Sequence, residues 1–191
     1  MIDYFALLQQ PRKPWLDPEE LKQKYHELTK AAHPDRSSSA SPDSDFANVT
    51  EAYRILLDPK LRLDHLLNLE GIPLISHANV PEQVADVFLE IGTLIQETDR
   101  LLAKSTTTTA LSKALLRSEI LEKQKLTADL LEKLETMYAD ALKELKLLDQ
   151  AWPSTNKAGA GPSELSALSS RFAYLTRWIA QLQERKFQLS I

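Results

Sequence analysis

The sequence predicts an all-α protein with an N-terminal helical hairpin and a C-terminal antiparallel three-helix bundle. Apolar residues recur at spacings of three and four along most of the 191 residues, which is the period of an amphipathic helix. Glycine is scarce, with 4 in all, and no stretch alternates β-branched with polar residues. Hydrophobic residues make up 43% of the chain, which is enough for a packed core.

The first two helices are separated by a loop from Gln9 to Leu16. A short helix over residues 4–8 precedes this loop. Asp17 is a good N-cap for the second helix, Pro18 suits its first position, and Glu20 can close a capping box. An apolar stripe follows at Leu21, Tyr25, Leu28 and Ala32, whereas Lys22, Lys24, His26 and Lys30 lie off the stripe and face water.

The second helix is expected to end at His33, because Pro34 disfavours the helical conformation in the residue before it. Residues 36–45 (RSSSASPDSD) then read as a polar loop. The third helix is predicted from Phe46 to Leu56, packed antiparallel on the second. A fourth helix begins after Asp58-Pro59 and ends before Gly71, which suits the C′ position.

The sequence of the second half predicts three long helices, which follow a linker at residues 72–80. The first begins at Pro81, presents Val84, Phe88, Ile91, Ile95 and Leu102 on one face, and breaks at residues 105–109 (STTTT). The second covers residues 110–150, and the sequence leaves open whether it is unbroken. Trp152-Pro153 is expected to stop it, residues 154–162 read as a loop, and Ser163 caps the last helix. We therefore expect two domains, at residues 1–71 and 81–191.

The composition argues against several classes of function. A net charge of −4 does not suggest nucleic-acid binding, and the absence of cysteine excludes disulfides and thiolate catalysis. No phosphate loop or hydrolase motif is present, and the 4 histidines lack metal-ligand spacing, with His26 and His65 expected on solvated helix faces. No signal peptide or apolar stretch of membrane-spanning length is seen. We expect a soluble cytoplasmic protein that acts by contact, without enzymatic activity, metal or cofactor.

Four separated motifs in the first 71 residues resemble the J domain of DnaJ-type co-chaperones. They are the opening DYFALL, the basic helix ending in His33-Pro34-Asp35, the polar loop, and the helix FANVTEAYRIL. The resemblance implies docking on the ATP-bound form of a DnaK-class heat-shock chaperone and stimulation of its ATPase. The chaperone-binding residues that it implies are His33, Pro34, Asp35, Lys22, Lys24, Tyr25, His26, Lys30 and Arg36.

The segment LRLDHLLNLEG, at residues 61–71, resembles the end of the J domain in HscB, the iron–sulfur-cluster co-chaperone family. That family also carries a C-terminal three-helix bundle, which binds an iron–sulfur scaffold protein. The matching client-binding positions here are Phe88, Leu89, Gly92, Thr93, Gln96 and Tyr174. Gly92 stands where the family has a large apolar residue, and Thr93 and Gln96 stand where it has acids. A glycine inside a helix costs about 1 kcal/mol relative to alanine, so we expect a reason such as close approach of another backbone.

Three functional hypotheses follow. The first is an HscB-like co-chaperone with an HscA-like ATPase as partner and the iron–sulfur scaffold as client, in a monomer or weak homodimer. The second keeps the J domain but gives the bundle a different client, or makes it self-associate through the Leu-rich middle helix. The third is a helical structural adaptor without a chaperone role, which leaves the ordered J motifs unexplained.

Overall fold

The fold is all-α, as predicted. A computed structural model describes residues 2–31, 42–73, 81–106, 110–155 and 160–190. Within these ranges the regular elements are all helices: α1 (Tyr4–Leu7), α2 (Pro18–Ala31), α3 (Pro42–Leu57), α4 (Pro59–Leu69), α5 (Glu82–Thr106), α6 (Ala110–Thr155) and α7 (Ala160–Leu189). None of the described helices is both long enough and apolar enough to span a membrane.

Three helix ends are formed by the residues that the sequence indicated. The Asp17 carboxylate accepts hydrogen bonds from the backbone N–H groups of Glu19 and Glu20 at 2.9 and 3.2 Å, and so caps α2. Asp58 caps α4 in the same way, accepting from the N–H of Leu61 at 2.9 Å. Gly71 follows α4 with a φ of 69°, the left-handed conformation that favours glycine at a helix C-terminus.

Two helices begin earlier than predicted. The loop expected up to Asp45 is already helical from Pro42, and the loop expected up to Pro162 is helical from Ala160. In both cases proline lies in the first turn, where a missing N–H leaves no intrahelical bond unmade. Proline and serine are common in loops, and their presence in these two first turns is why the sequence predicted loops there.

Helix α6 is one unbroken helix of 46 residues, and the stop predicted at Trp152-Pro153 is wrong. Pro153 lies in the last turn, where its missing N–H removes one intrahelical hydrogen bond. The buried Trp152 side chain is only 5% exposed, so it holds this turn in place. The helix continues for two residues past Pro153 and ends at Thr155.

The chain divides into two compact units, and both α6 and α7 contribute to each. The first unit contains residues 1–76 and 143–169, and the second contains residues 77–142 and 170–191. The domain boundaries inferred from the sequence stay a prediction. In the first unit, α3 packs against α1, α2 and α4. The large buried side chains of this unit are Phe5, Leu8, Leu16, Leu21, Leu56, Leu63, Leu66, Leu67, Leu145, Trp152, Leu165 and Leu168.

The core of the second unit is centred on a slightly different face of α5 from the one predicted. Val84, Val87, Ile91, Leu94 and Leu101 are buried, whereas Phe88, which the predicted stripe included, is 44% exposed. The large buried residues contributed by α6 and α7 are Leu130, Leu131, Leu134, Phe172, Leu175, Trp178, Leu182 and Leu189. Phe88 thus lies beside the core rather than in it, and its ring is available at the surface.

Candidate functional site

The exposed face of α2 carries three basic side chains at four-residue spacing. Lys22, His26 and Lys30 are all exposed and follow one another along the same side of the helix. Lys22 lies 4.0 Å from the Glu19 carboxylate, a loose pair between two exposed groups. This cationic face of α2 presents Lys22, His26 and Lys30 to solvent, with the exposed carboxylates of Glu19, Glu20 and Glu27 beside them.

Lys24 and Tyr25 are placed differently from these three residues. The Lys24 Nζ lies 3.3 Å from Glu27 Oε2, so its charge is offset within the helix. Tyr25 is half-buried and stacks on Tyr53 of α3, with ring centroids 4.3 Å apart and an interplanar angle of 18°. Tyr25 thus helps to join α2 to α3, and only its exposed edge remains for a partner.

The motif residues His33, Pro34 and Asp35, together with Arg36, lie outside the described residues. They belong to the connection between Ala31, where α2 ends, and Pro42, where α3 begins. Their assignment as binding residues stays a prediction. The structure does show that α2 runs directly up to this connection with its cationic face exposed.

A buried arginine ties three parts of the first unit together. Arg62 is 3% exposed; its Nε donates to the carbonyl of Pro14 at 2.8 Å and its Nη1 donates to the carbonyl of Leu56 at 2.6 Å. Its guanidinium also lies 5.9 Å from the centroid of the Trp15 ring. The side chain therefore fixes the α1–α2 loop against the end of α3, which supports the position of α2.

His65 is buried, contrary to the expectation that it lies on a solvated helix face. It is 7% exposed, and its Nε2 accepts a hydrogen bond from the backbone N–H of Tyr4 at 3.1 Å. Its ring is stacked on Phe5, with centroids 5.7 Å apart. Burial lowers the pKa of His65, against a smaller opposing effect of the nearby Asp3 carboxylate. The neutral ring is the form that can accept this bond.

The end of α6 contributes polar contacts to the first unit. The Asp149 carboxylate accepts a hydrogen bond from the backbone N–H of Trp15 at 2.9 Å, and Lys146 Nζ lies 4.3 Å from the centroid of the Trp15 ring. Ser169 of α7 donates to the Asp64 carboxylate of α4 at 2.5 Å. These contacts hold residues 143–169 against the α1–α2 loop and α4.

The predicted client-binding positions lie on the exposed side of α5 and on the adjoining part of α7. Phe88 is 44% exposed and Leu89 is 74% exposed, and Gly92, Thr93 and Gln96 are exposed along the same side. Tyr174 is half-buried on α7. The structure brings Phe88 and Tyr174 together through a shared neighbour, because both rings contact Trp178.

Trp178 completes an aromatic cluster that the sequence reasoning did not identify. Its ring centroid lies 6.1 Å from that of Phe88 and 5.3 Å from that of Tyr174, and the residue is 2% exposed. Its position four residues after Tyr174, one helical turn along α7, is the signal that could have found it. Trp178 supports Phe88 and Tyr174 from below, so they form one apolar surface.

Gly92 is not explained by packing within the described chain. A Cβ built at this position meets no atom within 4 Å, so no neighbouring backbone requires a glycine there. The close approach expected from the sequence is therefore not made by the described residues. Gly92 leaves a bare stretch of helix between Phe88 and Gln96, next to the exposed Leu89 side chain.

No cluster of three or more potential metal ligands occurs among the side chains that the structure describes.

Comparison with known proteins gives consistent matches. Residues 3–65 match the family model of the DnaJ domain. The co-chaperone protein HscB of Proteus mirabilis is 28% identical over 159 residues, which cover 79% of this chain and 82% of that protein. An HscB homologue of Shewanella woodyi is 34% identical over 79 residues, which cover 38% of this chain and 45% of the homologue.

One solved structure supports the fold along the whole chain. The chaperone HscB from Vibrio cholerae superposes with a TM-score of 0.55 at 22% identity, covering 99% of this chain and 96% of that chain. At this sequence identity, the structural similarity supports the fold alone.

Proposed function

We propose that this chain, a J-domain co-chaperone of the HscB type, stimulates the ATPase of a DnaK-class heat-shock chaperone. The proposal is supported chiefly by the exposed cationic face of α2, a helix that ends at Ala31, two residues before the His33-Pro34-Asp35 motif in the sequence. ATP hydrolysis would take place in the partner, and this chain would contribute contacts rather than catalytic residues.

The two parts of this surface would have different tasks. The exposed Lys22, His26 and Lys30 would attract an acidic surface of the partner and orient the encounter, an effect that salt screens. Asp35 would pair with a cationic side chain of the partner in a charge-assisted hydrogen bond, worth about 1.5–3 kcal/mol. The contribution of Lys24 should be smaller, because Glu27 already offsets its charge.

A single substitution tests the role of Asp35. We expect Asp35→Asn to abolish stimulation of a DnaK-class ATPase in single-turnover assays, because the amide cannot supply the anionic acceptor. A matched control is Asp43→Asn, which removes the same charge eight residues further along. Circular dichroism should show equal helicity for both variants. Full stimulation by Asp35→Asn would refute the role that we give to this residue.

We also propose that the second unit presents a client, the iron–sulfur scaffold protein, through the surface around Phe88 and Tyr174. The proposal is supported by two half-exposed rings that rest on Trp178, with Leu89 exposed beside them. Rigid aromatic side chains of this kind are the usual anchors of protein interfaces. The cytoplasmic location of this chain stays a prediction.

Binding of purified scaffold protein tests the client proposal. Removal of the Phe88 ring should weaken binding about tenfold or more, because a supported aromatic anchor usually dominates an interface. Phe187→Ala is the matched control, since Phe187 is 63% exposed on α7 and lies outside the predicted surface. Absence of binding by the unmodified chain would contradict the scaffold assignment, and the proposal for the J domain would stand.

A further inference from the structure

A groove between α5 and α6 lies beside the client surface within the second unit. It encloses about 520 Å³, a volume within the range of small-ligand and peptide side-chain sites. Its floor is formed by the buried Leu94 and Leu130, and its walls by Leu89 and Leu126, which are 74% and 42% exposed. Two large apolar side chains thus face water across an apolar floor.

Two ion pairs between the helices bracket the groove. Lys133 Nζ lies 2.9 Å from Glu90 Oε2, and Lys123 Nζ lies 2.7 Å from Glu97 Oε2. Glu90 and Glu97 are two helical turns apart, so the open length between the pairs is roughly 10 Å at ~1.5 Å per residue. This length admits a few residues of a partner segment rather than a whole helix.

The rim of the groove carries an excess of negative charge. The two lysines are matched by Glu90 and Glu97, which leaves Asp129 of α6 as an additional carboxylate. Asp129 is exposed, and it makes no ion pair with any residue that the structure describes. A cationic group on a bound segment would therefore be favoured over an anionic one.

We propose that this groove binds an apolar segment of the client that carries a lysine or arginine beside leucine-like side chains. The inference rests on the proposed client-binding function, because Leu89 and Thr93 belong both to the predicted client surface and to the α5 wall of the groove. The apolar side chains occupy the space above Leu94 and Leu130, and the cation pairs with Asp129. The client surface thus extends from α5 across to α6.

Three capped peptides added to the full chain test the chemistry of the groove. We use LKLLS, its acidic counterpart LELLS, and the polar SKSSS, and follow the methyl signals of labelled leucines by NMR. LKLLS should shift the signals of Leu89 and Leu126 and bind about two- to fivefold more tightly than LELLS, the size of an exposed ion-pair effect. SKSSS should cause no shift. Shifts elsewhere in the chain, or none at all, would overturn the proposal.

Two variants and a matched control locate the site. Leu126→Asp should weaken binding of LKLLS about tenfold, because it removes an apolar wall and adds a desolvation cost. Leu121→Asp makes the same change at a leucine of α6 that is 57% exposed and does not line the groove, and it should have no effect. Asp129→Lys should reverse the preference, so that LELLS binds more tightly than LKLLS. Equal losses in the two leucine variants, or an unchanged charge preference, would overturn the proposal.

A separate measurement of scaffold binding distinguishes the proposal for the groove from the proposal for the client. Peptide binding at the groove with no binding of scaffold protein would support the groove and contradict the scaffold as client. Scaffold binding that is insensitive to Leu126→Asp, together with no peptide binding, would overturn the groove and leave the client proposal intact.

Discussion

Replacement of Gly92 by alanine separates the stability of the helix from its use as a contact surface. Gly92 lies eleven residues into α5, so it is an interior position of a 25-residue helix. A Cβ there meets no atom within 4 Å, so alanine adds no clash and gains no new contact. Only the helix propensity changes, and alanine stabilises an exposed helix interior by about 0.5–1 kcal/mol relative to glycine.

We therefore expect Gly92→Ala to raise the free energy of unfolding by about 0.5–1 kcal/mol. For a chain of this size, that gain raises the melting temperature by about 1–4 °C. Thermal and urea unfolding followed by circular dichroism measure both quantities. Ala139→Gly is the matched control, because Ala139 is exposed in the interior of α6, and it should lower stability by a similar amount. A loss of stability in Gly92→Ala would refute the reasoning from open space.

The same variant should act in the opposite direction on binding. If the bare helix surface at Gly92 receives a client backbone, an added methyl group prevents close approach, and affinity for the scaffold protein should fall about five- to tenfold. Isothermal titration calorimetry on the stabilised variant measures this change. Unaltered binding would mean that the client does not contact Gly92. Higher stability combined with weaker binding is a pair of effects that damage to the fold cannot produce.

Two further predictions concern the first unit. His65 has a lowered pKa in the folded chain, so the unfolded state binds the proton more readily, and stability should decline as the pH falls from the ordinary histidine pKa toward the lowered value. His65→Gln should flatten this part of the curve of unfolding free energy against pH, measured by urea titration, and an unchanged slope would contradict the assignment. Asp149→Ala should lower stability at pH 7 by about 1–3 kcal/mol, because the N–H of Trp15 loses its carboxylate acceptor. A loss below about 0.5 kcal/mol in urea unfolding would show that water replaces this acceptor readily.

Much of the structure of the first unit could be predicted from local sequence signals. Asp17, Asp58 and Gly71 are end signals that act within four residues, so they can be read without knowledge of the fold. The family resemblance built on the ordered J motifs is likewise confirmed, by the DnaJ-domain match at residues 3–65 and the HscB relatives. These signals do not depend on how distant parts of the chain meet.

Other features depended on contacts between distant residues and were missed for that reason. The bond from Trp15 to Asp149 joins residues 134 positions apart, and no local pattern indicates it. The burial of His65 depends on its contact with Tyr4, 61 positions away. The helical spacing put Phe88 on one face with Val84 and Ile91, but the neighbouring helices centre the buried face of α5 on Val87 and Ile91. Helical periodicity predicts that a face is buried, and the packing decides which residues lie at its edge.

The contacts around Trp15 indicate what supports the loop between α1 and α2. Its backbone N–H donates to Asp149, the cations of Arg62 and Lys146 lie 5.9 and 4.3 Å from its ring centroid, and Arg62 donates to the carbonyl of Pro14. These residues position the loop that leads into α2. A fragment that ended with the predicted J domain at residue 71 would keep Arg62 but lose Asp149 and Lys146. The N–H of Trp15 would then turn to water, and Arg62 would remain as the buried donor to the Pro14 carbonyl. Residues 143–169 are therefore part of the support for the J-domain surface, although they lie far from it in sequence.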